Sequence, residues 1–202
     1  MAVPIPIDRA RMDALLVFLR EIDRLKSVYR AAYLADTSRH ESDAEHVWHA
    51  CLFAILLHGE LNVDADLAHS LELLLIHDLV EAYAGDTPLH DEAARAAQPA
   101  REAEAARRLF VLLPDEHASK LRSWWIEYEE ASTAEARFAN EIDRLQAIAQ
   151  NVFAGGKTWE DWNVSEVQAR ERNRRAMGFD PQLADVFEML LEEARRRDLF
   201  RG

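Results

Sequence analysis

Along most of the chain, apolar residues recur three or four positions apart and convincing strand alternation is absent, so the pattern predicts helix almost throughout. A first helix is predicted from about Asp8 to Tyr33, with Ile7 and Asp8 as staple and cap and Leu15, Phe18, Leu19, Ile22 and Leu25 on its buried stripe. The loop ADTSRHESD leads to a second helix, about Ala44 to His58, whose Val47, Cys51, Leu52, Ala54, Ile55 and Leu56 leave little polar surface and so place it centrally. A third helix, about Ala65 to Ala84, stops at Gly85, the residue best suited to the conformation that follows a helix end, and leaves Asp86 in a loop. A fourth covers about Asp91 to Leu113 with a break or kink at Pro99. Pro114 announces a fifth, Asp115 to Glu130; a sixth runs from Thr133 to Ala154 and ends at Gly155-Gly156. Trp159 to Asn163 reads as a loop, followed by helices from about Val164 to Met177 and Pro181 to Leu199. The expected fold class is all-α, a single compact bundle of about seven to eight helices over residues 1–202, without a linker long enough to divide domains.

Composition narrows the partners. A chain of 202 residues with 49% hydrophobic and 30% charged content suits one soluble domain. The net charge of -13 argues against nucleic acid, whose binding rests on neutralising phosphates, but leaves a small phosphorylated ligand open if positive charge is local. Cys51 is the only cysteine, which removes disulfide frameworks and thiolate zinc clusters and fits a reducing compartment. The N-terminal MAVPIPIDRARMDALL lacks the features of a secretory leader and no apolar stretch reaches membrane-spanning length, so the expectation is a cytoplasmic protein with no membrane partner. Arg195 to Arg197 read as a solvated helix end, and Trp124, Trp125, Tyr128, Trp159 and Trp162 as core or loop anchors more than a partner surface.

Candidate chemistry centres on His77-Asp78 in LLLIHDLVEAYAGD, two metal-ligand types inside an otherwise apolar helix. Uncompensated, a buried carboxylate and imidazole would each cost roughly several kcal/mol, and a divalent metal is the leading compensator. His77 and Glu81, four residues apart, share a helix face. The second helix offers His46, beside Glu45, and His49 a turn later. Imidazole and carboxylate together suit zinc, manganese, iron or cobalt. Taken singly, these residues have plainer explanations: His49, His58 and His69 as surface or satisfied core residues, His40, His90 and His117 as loop or helix-end residues, Asp143-Arg144 as a solvated pair, Glu81 and Asp86 as a surface carboxylate and a cap. The pentapeptide EIDRL occurs at residues 21–25 and again at 141–145; it is too short to be a repeat, but leaves Asp23 and Asp143 as rival candidates.

The combination resembles the HD-domain superfamily of metal-dependent phosphohydrolases, with its H…HD…D pattern: His46 in ESDAEHVWH, His77-Asp78 in LIHDLVEAYAGD, Asp143 in FANEIDRLQAI. Within it the chain is most similar to the 5′-deoxynucleotidase branch, through LKSVYR, SRHESDAEH, HDLVEAYAGDTP, LLPDE, WIEYEEASTAEARF and EIDRLQAIAQ, over about residues 15 to 155, with a helical C-terminal extension over about 156–202. The resemblance implies that His46, His77, Asp78 and Asp143 ligate one divalent cation (Mn, Co, Zn, Fe or Mg), and it favours Asp143 over Asp23, which precedes the first histidine. By the same resemblance Glu81 and Asp86 act as acid-base or water-orienting groups, and Arg30 and Arg39 are candidates for the substrate phosphate, a role that the planar fork of arginine suits. The implied reaction is removal of the 5′-phosphate from a (deoxy)nucleoside monophosphate by metal-activated water, in a homodimer. The alternatives are an HD hydrolase of another phosphorylated small molecule, such as a cyclic nucleotide or alarmone, or a helical binding protein that retains the metal without turnover. One departure stands out: in some bacterial members a tryptophan linked to choosing deoxyribose follows the arginine of LKxxxR, whereas Ala31 follows Arg30 here, with Tyr33 nearby.

Overall fold

The computed structural model describes residues 8–201 apart from 62, 90, 175 and 176, so the expectations for Ile7 and His90 lie outside the described residues. Helix α1 (Arg9–Ile22) starts where the Asp8 side chain accepts from the Arg11 amide. It ends sooner than the periodicity suggests. Residues Asp23–Ser27 tighten into a 3-10 turn, and Tyr29–Tyr33 forms strand β1, antiparallel to β2 (His40–Ser42). This hairpin corrects both the long first helix and the absence of strands; its register is irregular between Tyr29 and Tyr33, and its two strands are too short to show alternation. On α1, Phe18 is buried but Leu19 is exposed.

The end of β2 leads directly into α2 (Asp43–Glu60), through a capping box in which the Ser42 hydroxyl and the Glu45 carboxylate each accept from the other residue's backbone amide. Helix α2 is central, as its apolar character predicts, but only one of its faces is buried. Val47, Ala50 and Ala54 are buried, while Trp48 and Leu56 are 64% and 66% exposed.

Helix α3 (Leu67–Ile76), capped by Asp66, does not run on to Ala84. Residues 77–80 form a turn with bonds such as Glu81 N to Asp78 O, three residues back, before the short α4 (Glu81–Ala84). The His77-Asp78 pair therefore stands where the helix breaks, not in its interior. Gly85 follows at φ 73°, a conformation that a side chain would strain.

Helix α5 (Glu92–Phe110) continues through Pro99 without the expected break. Pro99 and Arg95, whose carbonyl loses its helical partner there, are both exposed, so water can satisfy that carbonyl. Helices α6 (Asp115–Glu130) and α7 (Ala134–Phe153) match their periodicity, with Thr133 capping the latter. The expected loop at 159–163 is largely the short helix α8 (Lys157–Asp161), and Trp159 on it is buried. Helices α9 (Glu166–Asn173) and α10 (Pro181–Arg196) complete the chain.

Helices α2, α3 and α7 pack against one another, and α10 closes on α7. Leu73, Leu74, Phe138, Ile142, Leu145, Leu183 and Leu191 fill the core between them. A second apolar cluster, with Phe18, Leu79, Val80, Leu109 and Phe110, joins α1 and α5 to the turn after α3. The polar residues of the site emerge between these two clusters. Among the described residues no helix is long and apolar enough to cross a membrane.

Candidate metal centre

Three elements bring histidine and carboxylate together. His46 lies one turn into α2, His77 and Asp78 sit at the break after α3, and Asp143 is on the inward face of α7; all four are buried. His46 Nε2 is 2.9 Å from Asp143 Oδ1, and His77 Nε2 is 3.1 Å from Asp78 Oδ2. The cross-distances, His46 Nε2 to Asp78 Oδ2 and His77 Nε2 to Asp143 Oδ1, are both 3.9 Å. His46, His77 and Asp143 each offer a ligand atom within 4.8 Å of the others. Asp23, in the 3-10 turn, is exposed and paired with Lys26.

The donor set fits a divalent cation on a structural ground. His46 Nε2 and His77 Nε2 are buried and have no hydrogen-bond partner, although carboxylate oxygens face them. Two orphaned imidazole nitrogens converging on two carboxylates form the arrangement that a shared cation satisfies. His77 and Asp143 are each held from behind: His77 Nδ1 is 2.7 Å from the Leu74 carbonyl, and Tyr128 OH donates to Asp143 Oδ2 at 3.1 Å.

The charges are strongly coupled. Burial alone would depress the pKa of His77, yet Asp78 and Asp143 push it up to about 9. His46, desolvated and facing Arg30, is held below its ordinary value, hence neutral. Burial works against ionisation of Asp78, but His77 and Arg30 bring it down to about 2. Asp143 likewise lies well below the carboxylate range, despite burial, because Arg144 and the two histidines face it.

Beside this cluster stands a group of carboxylates. Asp43, Asp78 and Glu81 each place an oxygen within 4.8 Å of the others, and Asp43 is fully buried. Arg30, on β1, reaches in with Nη1 3.1 Å from Asp78 Oδ2 and 3.7 Å from Asp43 Oδ1. Burial, then Asp78 and Asp43, push Glu81 up to about 12, and burial raises Asp86 as well. A cavity of about 670 Å³ opens above, lined by Arg30, His77, Asp78, Glu81, Asp86 and Asp143 among others.

Of the residues singled out from the sequence, His46, His77, Asp78, Asp143, Glu81, Asp86 and Arg30 therefore meet at one place. Arg39 does not join them. It is exposed, pairs bidentately with Glu45 at 2.8 and 2.5 Å, and is not among the cavity-lining residues. Asp43 and Tyr128 were missed. Asp43 carried a signal, since it lies three residues before His46 on the same helix; Tyr128, reaching in from another helix, carried none.

Residues 22–181 match the family described as HD domain. The chain is 34% identical to the bovine 5′-deoxynucleotidase HDDC2 over 138 residues, covering 67% of this chain and 65% of that protein. It is 27% identical over 149 residues to the 5′-deoxynucleotidase hdd1 of Schizosaccharomyces pombe, covering 71% and 74% of the two chains. The match thus spans slightly under two thirds of the bovine relative's length. Among solved structures, a predicted metal-dependent phosphohydrolase from Magnetospirillum magnetotacticum superposes with a TM-score of 0.89 at 39% identity, covering 98% of this chain and 100% of that one. The histidine-aspartate pair at the break after α3, its companions on α2 and α7, and a family match over most of the length lead to one assignment: the chain belongs to the HD domain family.

Proposed function

We propose that this protein is a metal-dependent phosphomonoesterase that removes the 5′-phosphate from deoxynucleoside or nucleoside monophosphates. The observation that carries the reading is the pair of orphaned nitrogens, His46 Nε2 and His77 Nε2, facing Asp143 and Asp78 beside a cavity lined by His77, Asp78, Asp143 and the half-buried Arg30. His46, His77, Asp78 and Asp143 would hold one divalent cation, Mn, Co, Zn, Fe or Mg. When bound, such an ion supplies Lewis acidity toward a phosphoryl oxygen and eases deprotonation of water at neutral pH.

The remaining work falls to the chain's own groups. Arg30 presents its guanidinium to the phosphoryl oxygens and stabilises the charge that develops there. Asp86 takes the proton from the attacking water. Glu81, whose carboxyl is kept protonated by burial and by Asp78 and Asp43, gives its proton to the departing ester oxygen. The P–O bond to the sugar breaks as the new P–O bond forms, releasing nucleoside and phosphate. Arg39 would join phosphate recognition only if its pair with Glu45 opened.

The similarity to proteins named 5′-deoxynucleotidases supports nucleoside monophosphates as the substrate class. A cytoplasmic homodimer belongs to the same reading, with the exposed apolar Trp48, Ile55 and Leu56 of α2 as a surface for the second copy to cover. Phosphate release from a panel of deoxynucleoside and nucleoside monophosphates, with each divalent ion in turn, tests the proposal. Release from the monophosphates and not from simple alkyl phosphates is expected; no release with any ion would favour a binding protein.

A further inference from the structure

Gln146 is fully buried on α7, three residues beyond Asp143. Its amide spans three elements. Nε2 donates to Glu41 Oε1, in the middle of β2, at 3.1 Å, and lies 3.2 Å from His49 Nδ1 on α2; Oε1 is 2.6 Å from His46 Nδ1. An ionised carboxylate only accepts, so with Glu41 ionised the NH2 faces Glu41 and the carbonyl faces His46, as the contacts stand. A carbonyl also only accepts. The hydrogen of the His46 ring therefore sits on Nδ1, and the lone pair on Nε2, the orphaned nitrogen 2.9 Å from Asp143 Oδ1.

We infer that Gln146, oriented by Glu41, is a positioning residue of the metal centre: it selects the tautomer of His46 and aims Nε2 at the cation. This rests on the metal-site reading above and deepens it. His77 receives the same service from the main chain, through the Leu74 carbonyl at 2.7 Å, which no substitution removes. For His46 the service depends on a side chain. Helix α7 thus supplies a ligand, Asp143, and the orienter of a second ligand one turn later.

The test measures Co²⁺ affinity and the cobalt visible spectrum for the wild-type chain, Gln146→Met, Gln146→Glu and Gln150→Met, with ¹⁵N NMR of the histidine rings in the metal-free proteins. Gln146→Met keeps the shape and loses the acceptor, so its Co²⁺ affinity should fall about 10–100-fold, as when a group that orients a metal-bound histidine is lost. Its His46 should lose the Nδ1–H tautomer. Gln146→Glu keeps an acceptor for Nδ1–H and should recover the tautomer and the wild-type cobalt spectrum. Gln150→Met, at a buried glutamine on the same helix that donates to the Tyr33 carbonyl at 2.7 Å, should cost stability and leave Co²⁺ affinity unchanged. Wild-type affinity and tautomer in Gln146→Met, or an equal loss in Gln150→Met, would overturn the role of Gln146 alone. Failure of the wild-type chain to bind Co²⁺ would overturn the metal-site reading and this inference with it.

Discussion

Arg30 Nη1 lies 3.1 Å from Asp78 Oδ2, the same oxygen that His77 Nε2 approaches to 3.1 Å. A guanidinium and an imidazole on one carboxylate oxygen put the proposed phosphate-binding cation and a proposed metal ligand within one network. A buried charge pair broken from one side is costly, because it leaves the other charge without a partner.

Replacing Arg30 by Ala should therefore lower kcat/KM for a nucleoside monophosphate by about 10²–10³, the scale of losing one preorganised donor to a developing oxyanion. Arg30→Lys keeps the charge without the planar fork and should recover only part of the rate. Steady-state kinetics on both variants decide this; wild-type kcat/KM in Arg30→Ala would remove the residue from phosphate recognition.

Metal uptake should release a proton. His77, pushed up to about 9 by Asp78 and Asp143 against the opposing effect of burial, carries a proton at pH 7 in the metal-free protein and must lose it to act as a ligand. Affinity should consequently rise with pH up to about 9. A raised histidine pKa also contributes folding stability that is fully present below its ordinary value and is lost as pH climbs through about 9. Titration calorimetry with Co²⁺ in buffers of different ionisation heat should detect the proton, and a buffer-independent heat would contradict the assignment.

Glu41 gives a second pH signature. Burial is the main cause that carries its pKa up to about 7, with Arg30 and Gln146 pulling the other way. Because the folded-state value is raised, its contribution to stability is complete below the ordinary glutamate range and is lost as pH rises through about 7. Glu41→Gln should flatten this fall, and at pH 8 the metal-free variant should be more stable than wild type by up to about 3 kcal/mol, at about 1.36 kcal/mol per unit. Thermal melts across this pH range are the measurement, and parallel curves would count against it.

Glu81 should separate stability from turnover. Its carboxyl, driven up to about 12 by burial and by Asp78 and Asp43, is neutral at pH 7, so the neutral isostere in Glu81→Gln should leave the melting temperature of the metal-free protein nearly unchanged. The variant has no proton to give the leaving group, and kcat should drop about 10²–10⁴-fold. A large fall in melting temperature with normal kcat would assign Glu81 to structure instead.

How much of this was legible along the chain depends on the range of the forces involved. Periodicity located α6 and α7 closely, because Pro114 marks where α6 begins and α7 presents a sustained apolar stripe behind its Thr133 cap. It failed at Tyr29–Tyr33 and at residues 77–80. At Tyr29–Tyr33 the strand exists because β2 supplies its hydrogen bonds, and at 77–80 the helix yields so that His77 and Asp78 turn toward α2 and α7. Neither cause is local.

The sequence by itself determined the helical class, the caps and the order of the residues that converge on the cavity, since these follow from side-chain chemistry at fixed spacing. Only the tertiary structure decided that Asp43 and Tyr128 stand beside the site, that Arg39 is engaged by Glu45 away from the cavity, and that Glu41 and Gln146 orient an imidazole. Those relations join α2, α6, α7 and the hairpin across long stretches of chain. They arise from packing two apolar clusters around a buried set of polar groups, each of which must find a partner once water is gone.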